Sequence, residues 1–145
     1  LAAEVPAGSC EDSVSFLPAL LGKQIDSQRT GVVHHSISGH FAYRVGDWKL
    51  LLARASGGWS SPKEKDMGQD SDEAQLYNLA KDPREQNNLY NRQPDVAKKM
   101  LSQLVSDVES GRSVPGPQAS NDVGNIILWK SKRTESGNSK KDSRR

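Results

Sequence analysis

A chain of 145 residues has room for one small domain. Its apolar share of 34%, aromatic share of 6% and mean hydropathy of −0.74 exclude a core running through the whole chain. The net charge of +2 divides into +5 on residues 130–145 and −3 on residues 1–129, so the basic character belongs to the tail and excludes a basic nucleic-acid-binding domain.

Residues 1–12 are small and polar and are expected to form a loop. Asp12 or Ser13 is placed to cap a short helical turn over Val14–Leu21, with Gly22 ending it. Phe16, Leu17, Leu20 and Leu21 on that turn need a partner surface. Val32–Ile37 is β-branched and predicts a strand, followed by a turn at Ser38-Gly39-His40. Phe41–Val45 alternates, with Phe41, Tyr43 and Val45 on one face. Gly46-Asp47 predicts a second turn and Trp48–Ala53 a third strand, giving an antiparallel meander. Residues 55–74 are a Gly-, Ser- and charge-rich loop carrying Trp59. Gln75–Leu79 predicts a fourth strand, and Asp82-Pro83 a turn. Pro94-Asp95 opens the strongest helix, with Val96, Met100, Leu104 and Val108 on one apolar stripe. Lys98, Lys99, Gln103 and Asp107 are assigned to its outer face, and Gly111 to its end. Ile126–Trp129 is expected to be a late edge strand, and the chain beyond it disordered. The expected class is α+β: a small four-stranded antiparallel sheet packed by a C-terminal amphipathic helix, with a disordered basic tail over 130–145.

The single cysteine, Cys10, permits neither an intrachain disulfide nor a Cys-rich metal site. No apolar run approaches the ~18–20 residues of a membrane-spanning helix. The chain begins with Leu1, not Met, so a missing signal peptide is expected to reflect a missing N-terminus. His34, His35 and His40 are close in sequence, but His34 and His35 point to opposite faces of a strand and cannot share one ion. One histidine reaching a neighbouring pocket fits better. There is no Gly-x-Ser-x-Gly elbow and no phosphate loop.

Two stretches resemble a known family. Val33–Leu50 contains Arg44, Gly46, Trp48, Lys49 and Leu50 at the spacing of the hairpin typical of the C-terminal subdomain of arylsulfatase-type sulfatases. Leu76, Tyr77, Asn78, Leu79, Asp82, Pro83, Glu85, Asn88 and Leu89 are similar to the segment before that family's last helix. Gly57-Gly58-Trp59-Ser60 resembles bacterial members, and Glu11–Gly22 resembles the end of their large domain. The resemblance covers roughly residues 11–125, in the family's order.

It implies that 1–30 is a remnant of the large sulfatase domain, 31–129 the C-terminal subdomain and 130–145 a tail. Leu76 and Leu79 would bury against the helix stripe, while Glu85 and Asn88 would hold the turn through bonds to backbone. Sulfatases use a formylglycine made within Cys/Ser-x-Pro-x-Arg, beside a Ca²⁺. Cys10-Glu11-Asp12 does not match, and Ser60-Ser61-Pro62-Lys63-Glu64 has Glu64 where the Arg is needed. No cofactor is therefore expected in this chain, and the Ca²⁺ is expected in the missing catalytic domain. The implied function is that of a sulfuric ester hydrolase's C-terminal segment, not catalytic alone, which shapes the substrate pocket. Substrate contact falls to His34, His35, Ser36, Gly58 and Trp59. The expected partners are the missing catalytic domain and a sulfate ester, with neither nucleic acid nor membrane. The family implies a periplasmic or secreted location. The competing reading is a stand-alone interaction or remnant domain.

Overall fold

Short runs of β-branched and aromatic residues broken by glycine turns dictate the centre of the structure. In the computed structural model, residues 6, 9–25 and 28–130 are described. A short helix, α1 (Leu17–Leu20), precedes strands β1 (Val32–His35), β2 (Phe41–Val45), β3 (Trp48–Leu51) and β4 (Gln75–Asn78) and the long helix α2 (Pro94–Ser110). The strands form one antiparallel sheet in chain order. Its register sets Val33 opposite Tyr43, Tyr43 opposite Leu50 and Leu50 opposite Leu76. Residues directly opposite share a face, so these four make one apolar row.

That row meets α2. Tyr43, Leu50, Leu76 and Leu104 are fully buried, and Phe41, Ala97 and Met100 nearly so. α2 begins with Pro94 at its first turn and carries Asp95 beside the positive helix end. It ends at Gly111, whose φ of +67° suits glycine. The Gly111 amide donates to the Val108 carbonyl and the Arg112 amide to that of Asp107, each at 3.2 Å, which is a Schellman closure.

The expected sheet and helix are present, but several details differ. Asp107 is not on the outer face of α2. It is 9% exposed and accepts a 2.6 Å hydrogen bond from the Tyr43 hydroxyl. The seam that reaches the sheet runs through Ala97, Met100, Leu104 and Asp107, so one turn of it is polar. Leu79 is only half-buried, because the strand closes at Asn78 and the Leu79 amide turns to the Asp47 carbonyl at 2.6 Å. The Glu85 carboxylate, expected to bond backbone, pairs instead with the Lys49 ammonium at 2.7 Å. Ile126–Trp129 forms no strand. Ile126, Leu128 and Trp129 lie half-buried against the core as irregular chain. The free side of β4 is already taken: Leu89 donates to the Leu76 carbonyl, and the Asn88 amide oxygen accepts from Leu76 at 2.9 Å.

Asn88 does hold the turn as expected, also accepting from Tyr90 and donating to the Ala74 carbonyl. Asp82 starts it by accepting the Asn87 amide at 2.7 Å. Bonds from the Gln86 and Asn87 backbones hold its carboxyl below the usual range. The α1 turn has no side-chain cap: Asp12 instead accepts the Ser113 amide at 2.8 Å. The tail expected to be disordered lies, beyond Lys130, outside the described residues.

Candidate functional site

The β1–β2 turn and the β3–β4 loop meet at one end of the sheet. In the turn, Ser36 uses its hydroxyl to accept the His40 amide at 3.0 Å, and the Gly39 amide donates to the Ser36 carbonyl at 2.8 Å. Lys130 donates to the Ser38 carbonyl at the turn's tip.

The loop is braced throughout, which its Gly- and Ser-rich composition does not suggest. The Glu64 carboxylate accepts the Ala55 and Arg54 amides at 2.9 and 3.2 Å. Ser56 donates to the Ser60 carbonyl and accepts the Gly58 amide. Lys63 donates to the carbonyls of Gly58 and Trp59. Gln75 ties Ala53 and Ala55 back to β4. A loop fixed this way holds its side chains in place.

The Trp59 indole is nevertheless 82% exposed. An exposed indole on a braced loop presents a flat apolar face to solvent. Gly58 packs beside the turn: a β-carbon there would stand 4.0 Å from Ser36 and 3.9 Å from Ile37. The tip thus unites Ser36, Gly58 and Trp59. His34 and His35 lie just below it, on opposite faces of β1 and both exposed. His35 stacks edge-on against Phe41, with ring centroids 4.1 Å apart.

His35 also lines a groove of about 500 Å³ beside β1, with Val33, Asp107, Arg112 and Ile126. Its polar groups are committed elsewhere. Asp107 is bound by Tyr43 and by Gln103 at 3.0 Å, and Arg112 by the Val114, Pro115 and Pro117 carbonyls. Burial and the Asp107 bond push the Tyr43 hydroxyl up to about 12. These groups are architectural.

Two neighbours of the tip carry little signal in the sequence: Lys63 precedes the Glu64 that departs from the formylglycine motif, and His40 belongs to the Ser38-Gly39-His40 turn and to a cluster of three histidines. Among the described residues, no group of three or more His, Cys, Asp or Glu stands close enough to hold a metal ion. No helix among them is long and apolar enough to cross a membrane. Cys10 is exposed.

No family model matches the chain. It is 30% identical over 106 residues to the N-acetylgalactosamine-6-O-sulfatase of Bacteroides thetaiotaomicron, a match covering 73% of this chain and 20% of that protein. A solved sulfatase structure, from work on the metabolism of multiple glycosaminoglycans by the same bacterium, superposes with a TM-score of 0.53 at 30% identity. That match covers 72% of this chain and 21% of the other. The chain is a C-terminal sulfatase-like segment. The segment spans about one fifth of the length of the sulfatases it matches. Both the sheet and the helix follow the expected subdomain, so the resemblance rests on architecture as well as on short motifs.

Proposed function

We propose that this sulfatase-like segment walls the mouth of the substrate pocket of a sulfuric ester hydrolase and does not catalyse alone. One observation carries the reading: Trp59 is 82% exposed on a loop that hydrogen bonds hold rigid. Its indole gives a sugar ring a flat apolar face, while Ser36 and Gly58 shape the adjoining backbone. His34 and His35 extend the contact surface onto the two faces of β1. The similarity to an N-acetylgalactosamine-6-O-sulfatase supports sulfated sugars as the substrate class.

The nucleophile and the Ca²⁺ are assigned to the remainder of the enzyme. No catalytic step is assigned to this segment. Residues 1–30 are read as the end of the large domain. Support comes from α1 and its flanks, where Phe16, Leu17, Leu20 and Leu21 are 53–70% exposed. Four large apolar side chains in water need a covering surface, and the remaining four fifths of a sulfatase would supply one.

The test is turnover of an aryl sulfate by the isolated chain. The expected result is hydrolysis no faster than in buffer. Turnover above that background overturns the reading.

A further inference from the structure

We infer that His40 is a ligand-contacting residue of the tip, forming the floor of a cleft that takes an anionic sugar. A sugar hydroxyl would bond its Nε2, while a sulfate or carboxylate oxygen would lie against Lys63 and Lys65. The inference rests on the reading of the tip as substrate-facing and adds a residue and a ligand chemistry to it.

The cleft, of about 410 Å³, is lined by Ser38, His40, Gly57, Gly58, Lys63 and Lys65, with Glu64 beside them. His40 is only 6% exposed. Its Nδ1 lies 3.2 Å from the Leu52 carbonyl oxygen. A carbonyl only accepts, so Nδ1 donates to it and Nε2 is left for another partner. Nε2 has no hydrogen-bond partner among the described residues, yet it is not among their sealed unpaired atoms, which are Arg29 Nε and Arg54 Nε. The ring is thus buried, held at Nδ1 by Leu52, and part of the cleft lining. A ring nitrogen without a protein partner is available to a ligand that reaches it.

Gly57 keeps the cleft shallow over the ring. Its φ is +67°, and a β-carbon there would come within 3.3 Å of His40 Cβ. The charges suit an anion. Glu64 is occupied by two backbone amides, and Asp66 by the Lys63 amide. Lys65 is exposed, and Lys63 retains its charge while bonding carbonyls. Donor and acceptor side by side match a hydroxyl next to an oxyanion, as on a sulfated or carboxylated sugar.

Two substitutions separate a binding role from a structural one. In His40→Asn the amide NH₂ occupies the Nδ1 position and keeps the Leu52 bond but lacks the Nε2 atom. In His40→Gln the amide reaches the Nε2 position and loses that bond. The intact chain is titrated with glucose 6-sulfate, glucose and inorganic sulfate, following the His40 ring and Trp59 indole resonances by NMR. The expected result is binding of glucose 6-sulfate that shifts both resonances and exceeds binding of either other probe. His40→Asn is expected to bind at least about tenfold more weakly with an unchanged melting temperature. If His40→Asn binds as well as the native chain while Trp59 still shifts, the His40 assignment is overturned and the tip reading stands. If none of the probes shifts Trp59, both fall.

Discussion

The hydroxyl of Tyr43 and the carboxylate of Asp107 join the sheet to the last turn of α2. A carboxylate there sits at the negative helix end, and its oxygens accept from Tyr43 at 2.6 Å and Gln103 at 3.0 Å. Tyr43→Phe removes one donor from a buried carboxylate and is expected to cost about 1–3 kcal/mol, read by urea unfolding at pH 8. The same pair sets an alkaline limit. The folded Tyr43 hydroxyl titrates near 12 against an unfolded value of 10.0, so the folded state holds the proton more tightly. Its contribution is complete below pH 10 and is lost as pH rises towards about 12, at up to about 1.4 kcal/mol per pH unit. Unfolding at pH 8, 10 and 11.5 checks this: the native chain weakens, and Tyr43→Phe weakens less. A residual slope is expected in the variant, since Glu73 and burial hold Tyr90 near 12 too. An equal slope in both proteins contradicts the pairing. This feature was not legible in the sequence. Charge alone sent Asp107 to the outer face, whereas its position on the Ala97–Met100–Leu104 seam was compatible with burial once a tyrosine lay opposite.

The elements were more legible than their termini. Alternation at Phe41, Tyr43 and Val45 and the Gly46-Asp47 turn predicted the hairpin and its buried face, because side-chain direction along a strand has a period of two. The α2 stripe and its glycine stop followed in the same way from local rules. Gly111→Ala tests the stop. A β-carbon there meets both a φ of +67° and the Ala119 carbonyl oxygen, so a loss of at least about 1 kcal/mol is expected. Thermal or urea unfolding reads it, and an unchanged midpoint contradicts the tight closure. Ile126–Trp129 forms no strand: Ile126, Leu128 and Trp129 pack on the core while the backbone stays irregular. β4 has its edge occupied by Leu89 and Asn88. Nor did the composition of the 52–74 loop reveal its rigidity, which comes from specific bonds by Glu64, Ser56, Lys63 and Gln75.

At the scale of the molecule, large apolar side chains remain uncovered among the described residues, including Phe16, Leu17, Leu20 and Leu21 in the α1 region and Ile37 and Trp59 at the tip. On the proposed function, the rest of a sulfatase would cover the first group and its substrate the second. Of the proposed site, Trp59 and its glycine neighbour are named in the sequence by resemblance alone. The sequence did not reveal which of the five named residues converge, since that depends on how two loops distant in sequence meet. The decisive measurement is steady-state kinetics of the longer sulfatase carrying this segment, native and Trp59→Ala, on a sulfated sugar. Loss of a stacking surface outside the reacting centre weakens ground state and transition state alike. KM is expected to rise about tenfold, corresponding to about 1.4 kcal/mol, with kcat within about twofold. An unchanged KM would contradict the placement of this tip at the pocket mouth.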